Sequence, residues 1–252
     1  MSSGIYGTAT SALVANQRAL ATVGHNIANA GTEGYSRQRV EFTPRQPFFT
    51  GGGYLGNGAD VTSVRRAYDG FVADQLTQAI SGNAKQETVA GYTSRLDDLL
   101  ADPNAGLSPA LDRFYNAWQD LANDPTSTAA RATVLAESES LAARFRSLDQ
   151  RLDEVQRSAE TQIATTVSEI NSVAESLARI NVEILGASGD IDRQPPNDLL
   201  DQRDQLVNDL AELVGVSTVM RDNGTVDVFV GQGQALVLGA SSLALAAGET
   251  RT

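Results

Sequence analysis

Residues 141–185 read LAARFRSLDQRLDEVQRSAETQIATTVSEINSVAESLARINVEIL, and their spacing decides the fold. Leu141, Phe145, Leu148, Leu152, Val155 and Ala159 step alternately by four and three. Ile163 and Val167 add two steps of four, and Ile170, Ala174, Leu177, Asn181 and Ile184 resume the alternation. A seam of this period marks a helix that packs along its length, and the extra step near Ala159 to Val167 is a stutter that locally relaxes a left-handed supercoil. From Arg131 to Leu185 the helix would form a rod of roughly 80 Å at ~1.5 Å per residue. Asn181, polar at a seam position, is expected to fix register at some cost in stability. The charged residues between seam positions read as a solvated face.

Working outward, Gly186 to Pro196 breaks the rod, and Asn197 to Val214 reads as a second amphipathic helix. Val216–Met220 and Val226–Val230 alternate as strands across Asp222-Asn223-Gly224, which predicts a type I′ hairpin. Ala235–Leu238 and Leu243–Leu245 add strand material. On the other side, Tyr68 to Leu100 is helical in pattern and stops at Asp102-Pro103-Asn104. Ser108-Pro109 is expected to cap the following helix, which carries Leu111, Phe114, Tyr115, Trp118 and Leu121 on one stripe. Phe114 and Trp118, with Leu148, Leu152 and Leu177 of the seam, are the expected core of the helical part. Arg39–Thr43 and Val61–Val64 read as short strands around a Pro- and Gly-rich turn, giving a small hairpin element near 37–65. Residues 1–34 form a charge-poor helix with apolar or small residues at three-four spacing. It is either an ordinary buried helix or one that buries itself against partners. The fold class is mainly α with a small β part.

Composition bounds the chemistry. The 252 residues carry 19 Lys plus Arg against 31 Asp plus Glu, a net charge of −12. That balance opposes binding to nucleic acid or an anionic membrane surface. No cysteine and a single histidine, His25, remove disulfides, thiolate chemistry and His-based triads. The start has no signal-peptide pattern, and no apolar run approaches a membrane span. Asp198, Asp201 and Asp204 are spaced by three on one helix; Arg203 and the neighbouring carboxamides favour a polar cap with local ion pairs over a metal site. His25 has no acid at i±3 or i±4 and reads as a hydrogen-bonded structural residue. Gly51-Gly52-Gly53 is not a phosphate cradle, because no Gly-Lys-Ser/Thr follows. No catalytic residue, metal site or cofactor is expected.

Three runs carry a resemblance: Ser11-Ala12-Leu13, His25-Asn26-Ile27-Ala28-Asn29-Ala30 and Gly34-Tyr35-Ser36-Arg37-Gln38. Together they resemble the N-terminal signature of bacterial flagellar axial proteins, with Asn26, Asn29, Gly34, Tyr35, Ser36 and Arg37 as its residues. Gly31-Thr32-Glu33 replaces the wording common there, which ends in Pro. Phe114 to Pro125 and Asn197 to Leu206 are similar to the hook-associated branch, the hook–filament junction proteins (hook-associated protein 1). The resemblance implies a non-enzymatic structural protein, exported unfolded by the flagellar type III apparatus without a cleavable signal. It implies an extracellular place at the hook–filament junction in a self-assembled ring. The implied partners are further copies of itself, the hook protein, hook-associated protein 3, and the export apparatus with its chaperone.

The implied layout is an axial helix over 1–34, an extended or hairpin linker over 35–67, a helical bundle over 68–215 and the start of an outer β domain over 216–252. Ile5, Leu13, Leu20, Val23 and Ile27 would form the assembly interface. Family members are longer and end in a helix that partners the first, so the chain is expected to be an N-terminal portion. The export chaperone's site would then lie in the missing C-terminal part. The alternatives are another axial protein, from hook or distal rod, or a coiled-coil scaffold carrying an enzymatic or glycan-binding outer domain.

Overall fold

The computed structural model describes residues 3–49, 51–100, 106–188 and 196–248. The stop expected at Asp102-Pro103-Asn104 and most of the break after Gly186 lie outside them. The described elements run α1 (Ser3–Ala28), β1 (Gln38–Pro44), β2 (Phe48–Phe49), β3 (Tyr54–Leu55), β4 (Ala59–Arg66), α2 (Gly70–Leu100), α3 (Leu107–Asn123), α4 (Thr128–Ser188), α5 (Asn197–Leu213), β5 (Val216–Met220), β6 (Val226–Val230), β7 (Gln234–Leu238) and β8 (Ser241–Ser242). The fold is mainly α with small antiparallel sheets. The chain divides into two compact units, Met1–Gly82 with Glu169–Ala246 and Asn83–Ser168 with Ala247–Thr252.

The first unit holds the larger core. Ile170, Ala174, Leu177 and Ala178 of α4 pack with Val207 and Leu210 of α5 and with Val226, Val228, Leu236 and Val237 of the sheet β5-β6-β7-β8. Alternate residues of a strand face one side, so one face of this meander closes on the two helices. The core therefore runs without interruption across the boundary expected at 215, and the sheet is part of the unit that α4 and α5 build. Asn181 sits at its centre, fully buried. Its amide donates to the carbonyls of Val226 and Gly239 at 2.9 and 2.7 Å, and its oxygen accepts the Val226 N–H at 3.1 Å. The expectation that Asn181 sets helix register is thereby corrected: its bonds go to sheet backbone, which satisfies all its polar atoms. Asn171 makes the same reciprocal pair with Leu245.

Two further expectations change here. The β5–β6 turn is not type I′. Among the described residues positive φ is confined to glycines, so Asn223 lacks the left-handed conformation that type I′ demands. Instead Gly224 N–H donates to Arg221 O at 2.9 Å and Gly224 alone is left-handed (φ 83°), a type I turn closed by a Gly bulge. The strand expected at Leu243–Leu245 is absent; β8 is Ser241–Ser242, after which Leu243 N–H donates to Leu236 O and Leu245 bonds to the Asn171 side chain.

The N-terminal part of this unit is an arm. β1 and β4 pair antiparallel with a bulge between Glu41 and Phe42, and β2 pairs with β3 beyond them. The arm lies on α1, where Ser11 and Ala15 are buried. Gly58, left-handed at φ 92°, permits the approach: a Cβ there would collide with the Ser11 hydroxyl and stand 3.3 Å from Thr8 Cα.

In the second unit α3 and the first part of α4 bury little. Ser108 does not cap α3; the helix already begins at Leu107, so Gly106 takes the cap position without a side-chain bond. Ala110 and Ala117 are buried and Phe114 is half-buried, whereas Trp118 is 49% exposed. The inward stripe is 110/114/117/121, and Trp118, one residue or ~100° round the helix from Ala117, lies off it. Leu148 is buried, but Leu152 on the next seam step is 41% exposed, so neither Trp118 nor Leu152 is core in this chain. Ser127 caps α4, its hydroxyl accepting Ala130 N–H at 3.2 Å.

Candidate functional site

The acids spaced by three on α5 receive the N-terminal signature. Asp198 accepts Gln38 Nε2 at 2.8 Å and lies 3.3 Å from His25 Nε2. Asp201 accepts the Ser36 N–H at 2.9 Å on one oxygen and Arg66 Nη1 at 2.9 Å on the other. Asp204 accepts the same Arg66 nitrogen at 2.6 Å, and Arg203 Nε and Nη2 at 3.0 and 2.6 Å. Arg203, 0% exposed, continues to Gly224 O at 2.5 Å, in the β5–β6 turn. Asn197 adds a bond to Val64 O at 2.8 Å. A chain of charge-assisted bonds thus ties arm, helix and sheet together.

The signature residues shape the side they present. Asn26 is a bracket: its oxygen accepts Tyr35 OH at 2.7 Å and Gln38 N–H at 2.8 Å, while its nitrogen donates to Gln38 O at 2.9 Å. Asn29 closes the end of α1 on His25 O at 3.0 Å. Gly34 is left-handed at φ 74° and lies against Gln205, whose Oε1 would be 2.7 Å from an added Cβ. Tyr35 meets the His25 ring edge-on at 5.5 Å. Its phenol is held above the ordinary tyrosine range by burial, then by the charges of Asp198 and Asp201. The Tyr68 phenol is likewise raised, first by burial and then by the charge of Asp204, against the opposing charges of Arg203 and of the Arg66 guanidinium stacked 4.2 Å over its ring. Arg37 joins only through its carbonyl, which accepts Ala67 N–H at 2.8 Å; its side chain is exposed.

The arrangement is a clasp. The acids take arginine, carboxamide and main-chain donors, and among the described residues no group of three His, Cys, Asp or Glu could hold a metal ion. No helix among them is long and apolar enough to cross a membrane. The five residues Ile5, Leu13, Leu20, Val23 and Ile27 lie apart from the clasp, all exposed along α1, with Leu20 and Ile27 each at 72%. Sequence reasoning found the acids and the signature but missed Arg66, and it quoted Gln38 and Asn197 in its motifs without giving them a role. Arg66 has no local signal, because Asp201 is 135 residues away.

The class of protein follows from the clasped segment: residues 7–35 match the flagella basal body rod protein family. Residues 93–252 match the flagellar hook-associated protein FlgK helical domain, and the chain belongs to that family. Flagellar hook-associated protein 1 of Salmonella typhimurium is 36% identical over 97% of this chain and 44% of its own length. The Escherichia coli and Bacillus subtilis proteins of that name are 33% and 32% identical, over 97% and 86% of this chain and 45% and 44% of theirs. The chain therefore spans less than half the length of these relatives. The flagellar hook junction protein FlgK from Burkholderia pseudomallei superposes with a TM-score of 0.61 at 31% identity, over 67% of this chain and 29% of that one.

Proposed function

We propose that this chain is part of a non-enzymatic structural component of the bacterial flagellum that joins hook to filament. It acts outside the cell, after export by the flagellar type III apparatus, by assembling with copies of itself and with neighbouring axial proteins. The hook protein would lie on one side and hook-associated protein 3 on the other. The observation that carries the reading is α1. It exposes Ile5, Leu13, Leu20, Val23 and Ile27 along one helix with a single histidine, a single arginine and no acid. An exposed apolar stripe of this length marks a protein interaction surface. The clasp supports the same reading, since it sets the direction in which that helix leaves the packed unit. The test is deletion of the gene in its host, with electron microscopy of the cell surface and assay of flagellin in the medium. Hooks without filaments and flagellin lost to the medium are expected; normal filaments would remove the junction role.

A further inference from the structure

The sequence holds two Asn-Gly pairs, Asn57-Gly58 in the arm and Asn223-Gly224 in the β5–β6 turn. Asparagine before glycine is the pair in which a backbone nitrogen most readily attacks the preceding side-chain amide, because glycine has no Cβ to crowd the approach. The attack needs a free asparagine side chain and a glycine nitrogen that can turn toward it. Exposure alone favours Asn223, which is exposed, over the half-buried Asn57. Hydrogen bonding reverses that order.

At Asn223 both reacting groups are engaged. Its Oδ1 accepts the Thr225 N–H at 3.0 Å and the Thr225 hydroxyl at 2.7 Å. The Gly224 N–H donates to Arg221 O at 2.9 Å, and Gly224 O accepts Arg203 Nη1. At Asn57 neither group is held. Among the described residues nothing bonds the Asn57 side chain, and the Gly58 N–H has no acceptor. Gly56 precedes the pair with open space around it, which leaves the local backbone free to rotate. Gly58 is fixed from its other side: its carbonyl accepts the Arg45 N–H at 3.0 Å, and it abuts Ser11 and Thr8 of α1.

We propose that Asn57 is a site of self-modification, converting through a succinimide to aspartate and isoaspartate. The Gly58 nitrogen gives up its proton to hydroxide or buffer base and bonds to Asn57 Cγ. The Cγ–Nδ2 bond breaks, and the amide nitrogen leaves as ammonia. Water then opens the ring, at the side-chain carbonyl to give aspartate or at the main-chain carbonyl to give isoaspartate. A water enters, an ammonia leaves and no atom changes oxidation state. Either product puts a carboxylate beside Gly58, and isoaspartate also lengthens the backbone by a methylene. Packed contacts respond to a change of that size. Here it falls immediately before the closest approach of arm and α1, so conversion loosens the arm from that helix. The proposal stands apart from the assembly reading.

The test follows freshly made full-length protein, kept folded in mildly alkaline buffer, by peptide mass spectrometry over time. Isoaspartate is read independently by methyl transfer from S-adenosylmethionine with an isoaspartyl methyltransferase. Asn57 is expected to convert at least about tenfold faster than Asn223, since each hydrogen bond that must break is worth up to roughly a factor of ten in rate. In guanidinium chloride the two rates are expected to converge, and Asn57→Gln is expected to remove methyl labelling of the arm peptide. Equal rates in the folded protein, or an Asn57 peptide that stays intact there, would overturn the proposal. Amide exchange from Ala59 to Val61 is expected to quicken in the converted protein; unchanged exchange would overturn the loosening.

Discussion

At Asp204 two guanidinium groups share one carboxylate: Arg66, with a side chain 8% exposed, and Arg203, with none. Removing one partner of a buried pair leaves a charge without compensation, at about 3–5 kcal/mol. Asp204→Ala is therefore expected to lower the unfolding free energy by that order in a denaturant titration. Asp198, largely exposed, is a surface partner, and Asp198→Ala is expected to cost no more than about 1 kcal/mol. Equal effects from the two would show that the clasp is not graded by burial. The residue scale also marks where sequence reading stops. The spacing of Asp198, Asp201 and Asp204 was legible as a polar face with local ion pairs, and Arg203 beside Asp204 is one. The other partners were not legible, because Ser36 and Arg66 reach Asp201 across 165 and 135 positions. Gly34 is similar: its place in the signature is visible in sequence, but its reason, a left-handed turn pressed on Gln205, is tertiary.

At the scale of elements, α4 is one helix of 61 residues whose seam serves two different surroundings. From Ile170 onward every seam position is buried against α5 and the sheet; earlier, Phe145, Leu152 and Ile163 are substantially exposed. Periodicity reports that a face is apolar, and it is silent on whether anything covers that face within one chain. The rod was legible for this reason, and the exposure of Leu152 was not. Leu177→Ala, at a fully buried site, is expected to cost about 2–5 kcal/mol, and Leu152→Ala well under half of that. Thermal or denaturant midpoints of the two variants check the ratio, and a larger loss at Leu152 would mean that its face is covered in solution. Asn181 gives the sharper test of how α4 holds the sheet. Asn181→Leu keeps the volume but strands the Val226 N–H and two carbonyls, at about 1–3 kcal/mol for each group left unpaired. Hydrogen exchange at the Val226 amide is expected to rise by orders of magnitude, while amides of α3 keep their rates. The turn between β5 and β6 was placed correctly by Asn223-Gly224, but its type was not, since one left-handed glycine meets the need of a bulged turn that two left-handed residues would meet in type I′.

For the whole molecule, the decisive asymmetry is between the two surfaces of α1. Its small-residue face, with Ser11 and Ala15, closes on the arm, where the lack of a side chain at Gly58 lets backbone approach backbone. Its large apolar residues face away and are exposed. Burying a Leu or Ile that was exposed stabilises by about 1.5–3 kcal/mol, and nothing among the described residues supplies that gain to the α1 stripe; under the proposed function, assembly does. The same arithmetic separates folding from function. Leu20→Asp and Ile27→Asp change exposed positions, so the isolated chain is expected to unfold within about 0.5 kcal/mol of the parent. In an assembled ring the same aspartates would be buried without partners, which costs far more than a subunit contact supplies. Cells carrying either variant in the full-length gene are therefore expected to secrete the protein, lack filaments and fail to swim. An Asp198→Ala variant, weakening only the exposed end of the clasp, is expected to swim. Normal swimming by both α1 variants would show that this stripe is not an assembly surface. A large loss of stability in the isolated variants would show that α1 is part of the fold's own core.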